Sequence, residues 1–118
     1  MSVCNCRVKN IRPKYNNLKE WMNDKNNVYV GRGGIVFIDK KRYPEKSSIF
    51  SNPFKITKDL TREQVLIMYE NYIVKKIEND ESIKIELLKL KNKNLGCWCY
   101  PEMCHADILL KLIEKYDI

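Results

Sequence analysis

The sequence lacks any long apolar run. No window approaches the roughly 18 apolar residues that a membrane-spanning helix needs. The first ten residues also lack the apolar core of a secretory signal. We therefore expect a cytoplasmic protein that neither enters a membrane nor is secreted.

Glycine and proline are also scarce, with four of each in 118 residues. Hydrophobic residues make up 44% of the chain and charged residues 31%, which is the balance of a globular protein rather than of a disordered tract. A chain of this length can bury a core without disulfides. The composition predicts a single domain that covers residues 1–118.

The five cysteines are an odd number, so any scheme of intramolecular disulfides leaves one thiol unpaired. This argues against the disulfide framework of a small secreted protein. We expect reduced thiols, in a reducing compartment, with metal-binding or reactive roles.

Positive charge is concentrated in one half of the chain. The formal net charge is +7, and residues 1–58 carry 13 Lys and Arg against 4 Asp and Glu. This asymmetry favours an anionic partner, such as a nucleotide or a nucleic acid, on one face of the protein. The alternative is that an AT-rich genome, which also explains the abundant Asn and Ile, has filled permissive surface positions with Lys.

The first half of the chain predicts three short strands and one long loop. Apolar alternation or short apolar runs indicate strands at residues 3–8, 28–30 and 35–38, with a helical turn around Trp21. Residues 39–58 have no sustained periodicity, which predicts a loop. A loop of this length in a compact domain is a candidate functional segment.

The second half predicts helices around one more strand. Thr61 and Gln64 form a capping box, and helical spacing of apolar residues then predicts a helix over residues 62–78. Ser82 is the predicted cap of a second helix. Residues 95–99 form a predicted strand that leads into a C-terminal helix. The fold class predicted is α/β, with a small layered sheet of mixed or mainly parallel strands flanked by three or four helices.

Three cysteines and the only histidine lie within nine residues near the C-terminus. On a strand, Cys97 and Cys99 present their thiols to one face. Cys104 and His105 fall at the start of the last helix, where the helix dipole favours a thiolate. The four side chains Cys97, Cys99, Cys104 and His105 form a complete tetrahedral set for zinc, which is the first interpretation.

Two other interpretations of this cluster stay open. In one, Cys104 is a nucleophile or His105 a general acid and base, so that the protein is an enzyme. In the other, the thiols are buried and inert. Cys4 and Cys6 repeat the C-x-C spacing, and they could join the site only if the first strand lies beside residues 95–99.

Two further elements are candidates for ligand binding. The glycines around Arg32, at residues 31–34, are consistent with a loop that binds an anion through the guanidinium, or with a simple glycine turn. Asp107 could orient His105, or it could be a favourable acid in the first turn of a helix.

Three separated motifs, taken in order, resemble those of one family. The motifs are residues 28–32 (VYVGR), residues 51–54 (SNPF) before the helix from residue 62, and residues 95–107 (LGCWCYPEMCHAD). The chain resembles domain of unknown function 4326, a family of phages, bacteria and large DNA viruses, over about residues 26–114. The resemblance implies that one site is formed by Arg32, Asn52, Pro53, Cys97, Cys99, Cys104 and His105, with Asp107 nearby.

Together these observations predict a zinc-binding α/β domain that recognises a nucleotide or nucleic acid through Arg32, Asn52 and the basic first half. One alternative is a small enzyme that uses Cys104 and His105 on a nucleotide-like or nucleic-acid substrate. Another is a structural viral or phage protein that zinc stabilises. For a viral protein, the expected location is the host-cell cytoplasm or the virion.

Overall fold

The computed structural model describes residues 2–98 and 102–117. Within them, five strands and five helices follow one another along the chain. Their bounds are β1 Ser2–Asn5, α1 Val8–Ile11, α2 Leu18–Asn23, β2 Asn27–Tyr29, β3 Val36–Ile38, β4 Lys41–Tyr43, α3 Arg62–Asn79, α4 Glu81–Leu88, β5 Asn94–Cys97 and α5 His105–Tyr116.

The main sheet has three parallel strands in the order β1, β5, β2. The last strand in the sequence is therefore the central one, with Gly96 opposite Cys4 on β1 and opposite Tyr29 on β2. Because the strands are parallel, all three of their carboxyl ends meet at one edge. Ligands of α/β proteins bind beyond this edge, so its side chains are the first place to look for a site.

The two faces of the central strand pack against different cores. Leu95 and Cys97 are buried in the larger core with α3, α4 and α5. Cys6, Trp21 and Tyr29 belong to a second core, which includes α2. This division follows the period of a strand, in which successive side chains point to opposite faces.

Gly96 allows the second core to approach the sheet. A Cβ atom at Gly96 would lie 2.5 Å from the sulfur of Cys6 and 2.5 Å from the ring of Trp21. A strand residue with any side chain would therefore push these two residues away from β5.

Strands β3 and β4 form a separate antiparallel hairpin that pairs Val36 with Tyr43. Asp39 and Lys40 form its two-residue turn, and both have positive φ angles, 52° and 66°. Two such residues are typical of the type I′ turns that join paired strands. The predicted loop over residues 39–58 is thus wrong at its start, because Lys41–Tyr43 is a strand.

The long helix α3 begins as predicted. The Thr61 side chain accepts a hydrogen bond from the Gln64 amide, while the Gln64 side chain accepts one from the Thr61 amide. The cap of α4 differs from the prediction, because Asp80 is the N-cap residue and its carboxylate accepts from the Ser82 amide. A carboxylate at this position also interacts favourably with the helix dipole.

The predicted α/β class is confirmed. The fold has one more helix than expected, because residues 8–11, predicted in part as strand, form the short helix α1. In the part of the chain that the structure describes, no helix combines the length and apolar character needed to cross a bilayer.

Candidate ligand-binding site

A pocket of about 310 Å³ opens at the carboxyl edge of the sheet. We call it the edge pocket. Arg32 reaches it from the chain after β2, Trp98 from the residue after β5, and His105 from the first turn of α5. Asn52 and Phe54 contribute from the long loop before α3. Four of the predicted site residues, Arg32, Asn52, Cys104 and His105, therefore lie around one cavity.

The wall of the edge pocket combines apolar and cationic residues. Its cations are Arg32, Lys55 and Arg62, and no aspartate or glutamate lines it among the described residues. The apolar part is formed by Ile35, Phe54, Ile56, Val65, Leu66 and Trp98. Such a cavity suits a ligand that has an apolar body and an anionic group.

Arg32 fixes the loop that closes the pocket. Its Nε and Nη2 atoms both donate to the carbonyl oxygen of Asn52, at 3.0 and 2.8 Å, and Nη2 also donates to that of Phe54 at 3.2 Å. Nη1 makes no hydrogen bond to the described residues, so one edge of the guanidinium is available to a ligand. The Asn52 side chain accepts from the Phe54 amide at 2.9 Å and thereby stabilises the turn around Pro53.

Trp98 and Tyr29 are site residues that the sequence analysis did not identify. The Trp98 indole Nε1 donates to the Tyr29 hydroxyl at 2.8 Å, and that hydroxyl donates to the Arg32 carbonyl at 2.7 Å. Burial raises the pKa of Tyr29 to about 12, so the hydroxyl keeps its proton at neutral pH. The available signal was an aromatic residue at the end of one strand (Tyr29) and just after another (Trp98), but such residues are common in apolar cores.

Cys97 and Cys104 come together as predicted. Their sulfur atoms lie 3.2 Å apart, and the two residues are 1% and 2% exposed. Cys97 ends β5 and Cys104 is the N-cap residue of α5, so the pair joins the sheet to the last helix. The contact brings together two of the four members of the predicted Cys and His cluster.

His105 faces the end of β2. Its Nε2 atom lies 2.6 Å from the carbonyl oxygen of Val30, which can only accept, so Nε2 carries the proton. Burial lowers the pKa of His105, and Arg32 lowers it further, although the bond to Val30 and the charge of Asp107 oppose them. The ring is therefore neutral at physiological pH, and its Nδ1 atom, which then carries no proton, can only accept a hydrogen bond.

Asp107 is hydrogen-bonded to the backbone and acts on His105 only through its charge. Its Oδ2 atom accepts a hydrogen bond from the Cys104 amide at 2.9 Å, which caps the first turn of α5. Of the two roles considered for this residue, the structure has the helix-capping one.

The first strand does lie beside β5, with Asn5 opposite Cys97. Even so, Cys6 belongs to the second core and Cys97 to the first, so their side chains lie on opposite faces of the sheet. Burial raises the pKa values of Cys4 and Cys6, which keeps both thiols protonated.

Two of the four predicted zinc ligands, Cys97 and Cys104, are adjacent. The third, His105, has its Nε2 atom bonded to Val30, and the fourth, Cys99, lies outside the described residues. Over residues 2–98 and 102–117, no three His, Cys, Asp or Glu side chains are grouped closely enough to hold an ion. A metal at this position would thus need Cys99 beside the sulfur pair.

Comparison with known proteins agrees with the resemblance seen in the motifs. The model of domain of unknown function 4326 matches residues 13–115. An uncharacterised protein of Acanthamoeba polyphaga mimivirus is 34% identical over 105 residues, which is 76% of this chain and 71% of that protein.

A second relative comes from a bacteriophage. An uncharacterised 12.4 kDa protein from the nrdA-td intergenic region of Enterobacteria phage T4 is 29% identical over 55 residues, which is 47% of this chain and 51% of that protein. No solved structure matches this chain.

Proposed function

The chain belongs to the domain of unknown function 4326 family, and we propose that it is a nucleotide-binding α/β domain whose ligand occupies the edge pocket. The observation that carries this proposal is that one cavity, at the carboxyl edge of a parallel sheet, combines apolar walls with the cations Arg32 and Lys55. The third cation of its wall, Arg62, is paired with Glu102. Nucleotides bind at this edge in many α/β proteins because the strand ends and helix starts meet there.

The size of the edge pocket fits this ligand class. Its volume of about 310 Å³ lies at the lower end of the range for small-molecule sites. In the proposed complex, the base lies against Phe54 and Trp98. Both are aromatic, and the Trp98 ring is held in place by its bond to the Tyr29 hydroxyl.

The cations supply the complementary charge. The proposed ligand phosphate contacts the free Nη1 edge of Arg32 and the ammonium group of Lys55, which is exposed at the rim. Arg32 is well suited to this contact, because its other nitrogens are already held by the loop and little further side-chain entropy is lost on binding. The excess of Lys and Arg in residues 1–58 supports the same ligand class.

The buried position of the Cys104 thiol favours a binding function over a catalytic one. Cys104 lines the edge pocket, but it is only 2% exposed and its sulfur contacts that of Cys97. A nucleophile must reach its substrate, whereas a buried pair of sulfurs suits a structural role or a metal. The alternative in which Cys104 carries a reaction is therefore the weaker one.

Zinc is the second part of the proposal. In it, Cys97, Cys99 and Cys104 supply three thiolates and His105 the fourth ligand, and the ion joins β5 to α5 beside the edge pocket. The support is the 3.2 Å separation of the Cys97 and Cys104 sulfurs and the burial of both residues. Zinc would have a structural role there, because it would link two elements that both reach the pocket.

Titration calorimetry with the common ribonucleoside and deoxyribonucleoside 5′-monophosphates tests the nucleotide proposal. Ile35 lines the edge pocket and is 46% exposed, so Ile35→Trp should fill the cavity without disturbing the core. Ile49 is 48% exposed and does not line it, which makes Ile49→Trp the matched control. We expect at least one monophosphate to bind the wild type, and its Kd to rise tenfold or more in Ile35→Trp alone. Equal affinity in both variants, or no binding by the wild type, would overturn the proposal.

Metal analysis tests the zinc proposal separately. We expect about one zinc per chain in the wild type and a loss of zinc in Cys97→Ser. The Cys4→Ser control should keep its metal, because Cys4 is half-buried on another strand. A wild-type protein without zinc after purification in zinc-containing medium would contradict the proposal.

A further inference from the structure

A second cavity adjoins the edge pocket. It has a volume of about 910 Å³ and we call it the basic groove. Arg62 and Trp98 line both cavities, so the groove and the pocket meet at these two residues. From there the groove follows β1 as far as Ser2, and β1 alone spans about 13 Å.

The groove carries a clear excess of positive charge. Its cationic residues are Arg7, Lys9, Lys14 and Arg62, against the single carboxylate of Glu102 among the described residues that line it. Glu102 is paired with Arg62 at 2.8 Å, and Arg62 also donates to the Met103 carbonyl. The charge available to a ligand is therefore that of Arg7, Lys9 and Lys14, which are all exposed.

Aromatic rings accompany these cations. Tyr15 is half-buried in the wall of the groove, and its hydroxyl donates to Asp24 at 2.6 Å, which fixes the ring. Trp98 stands at the junction with the edge pocket. Cations that follow a backbone, together with rings on which bases can stack, are the combination found in sites for single-stranded nucleic acid.

We propose that the ligand of this protein is a nucleotide within a single strand of nucleic acid, with one base in the edge pocket and the adjoining phosphates along the basic groove. This inference rests on the proposed function and adds the class of ligand to it. A free mononucleotide would leave the groove empty, whereas a strand uses both cavities. Base-paired nucleic acid is disfavoured, because a base in the edge pocket must be unstacked and unpaired.

Fluorescence anisotropy tests the inference with a labelled, mixed-sequence 12-nucleotide DNA that cannot pair with itself, and with its RNA counterpart. Competition by the unlabelled strand and by the mononucleotides shows how affinity depends on the length of the ligand. We expect the preferred 12-mer to bind at least 100-fold more tightly than the best mononucleotide. The duplex of the same sequence should bind less tightly than the strand.

Two double-lysine variants test whether the basic groove causes the tighter binding of the strand. In the Lys9→Ala/Lys14→Ala variant, we expect the strand to bind tenfold more weakly. The slope of the logarithm of the binding constant against the logarithm of salt concentration should also be smaller by about 1.4, because each phosphate contact to a single strand contributes about 0.7. Lys75→Ala/Lys115→Ala removes the same charge from exposed positions that do not line the groove, and it should bind like the wild type. Both pairs should bind mononucleotides unchanged.

The outcomes separate the inference from the proposed function. If a mononucleotide binds in the edge pocket, and neither length nor the Lys9 and Lys14 pair changes affinity, the inference is wrong and the proposed function stands. If duplex binds as well as single strand, or if both lysine pairs weaken binding equally, the groove is not a single-strand site. If neither mononucleotide nor strand binds, the proposed function fails as well.

Discussion

The Nε2 atom of His105 lies 2.6 Å from the carbonyl oxygen of Val30, and this contact joins the start of α5 to the end of β2. Val30 is fully buried, so its carbonyl loses a side-chain partner when the histidine is removed. The contact thus connects the last helix to an outer strand of the sheet, across the edge at which the proposed ligand binds.

Removing the His105 side chain should therefore destabilise the fold. We expect His105→Ala to lower the free energy of unfolding by about 1–3 kcal/mol, the usual cost of leaving a buried carbonyl without a partner. Urea denaturation measures this change. His105→Gln, which can still donate to Val30, should recover part of the loss, and a wild-type value for His105→Ala would show that the contact contributes nothing.

The bidentate contact of Arg32 predicts that lysine cannot replace arginine at this position. Arg32→Lys cannot donate twice to the Asn52 carbonyl, so the loop around Pro53 should lose part of its anchor. We expect limited proteolysis to cut residues 51–56 several times faster than in the wild type. Arg42→Lys is the control, because Arg42 donates once, to Gly34, on the exposed hairpin. Equal cleavage rates in the two variants would contradict this account of the loop.

The close packing at Gly96 predicts a large cost for the smallest side chain. Gly96→Ala would place a methyl group 2.5 Å from the Cys6 sulfur and from the Trp21 ring, so we expect a loss of about 1–3 kcal/mol in unfolding free energy. In Gly34→Ala the nearest atom to the new Cβ is 3.8 Å away, and only the positive φ of 69° opposes the substitution. Thermal unfolding of both variants should place Gly96→Ala lower in Tm.

The cap of α4 predicts a pH dependence with a defined sign. Hydrogen bonds from Ser82 lower the pKa of Asp80 below its ordinary value of 3.8. A carboxyl with a lowered pKa in the folded state stabilises the fold above its unfolded pKa, and this stabilisation is lost as pH falls through the folded pKa. Asp80→Asn keeps a capping oxygen but does not titrate.

Urea denaturation of the wild type and of Asp80→Asn between pH 6 and pH 2.5 checks this expectation. The wild type should be the more stable protein at pH 6, and the two should converge at the acidic end of the range. A difference that stays constant with pH would show that the Asp80 charge does not contribute.

Much of the fold follows from local patterns in the sequence. The Thr61 and Gln64 box and the helical spacing after it locate α3, because capping and amphipathic packing agree there. The hairpin strand β4 was missed for a physical reason. Its turn uses Asp39 and Lys40 at positive φ, positions at which Asn and Gly are the usual signals, and the strand itself is mostly exposed.

The candidate site was only partly predictable. Arg32, Asn52 and His105 were identified, and the contact between Cys97 and Cys104 follows from a strand that leads into a helix. The position of β5 between β1 and β2 depends on packing of the whole chain, which no local pattern reveals. For that reason the sequence could not place Trp98 beside Tyr29, or join the edge pocket to a groove along β1.

The most direct measurement of the central claim is an amide chemical-shift titration of the ¹⁵N-labelled protein with the nucleoside 5′-monophosphate that binds most tightly. The account predicts that the largest shifts occur at residues 31–35 and 52–56, with the Trp98 indole signal among them, and that they saturate together at one Kd. Shifts confined to Glu81–Leu88, a helix that does not line the edge pocket, or an unchanged spectrum with every monophosphate, would contradict it.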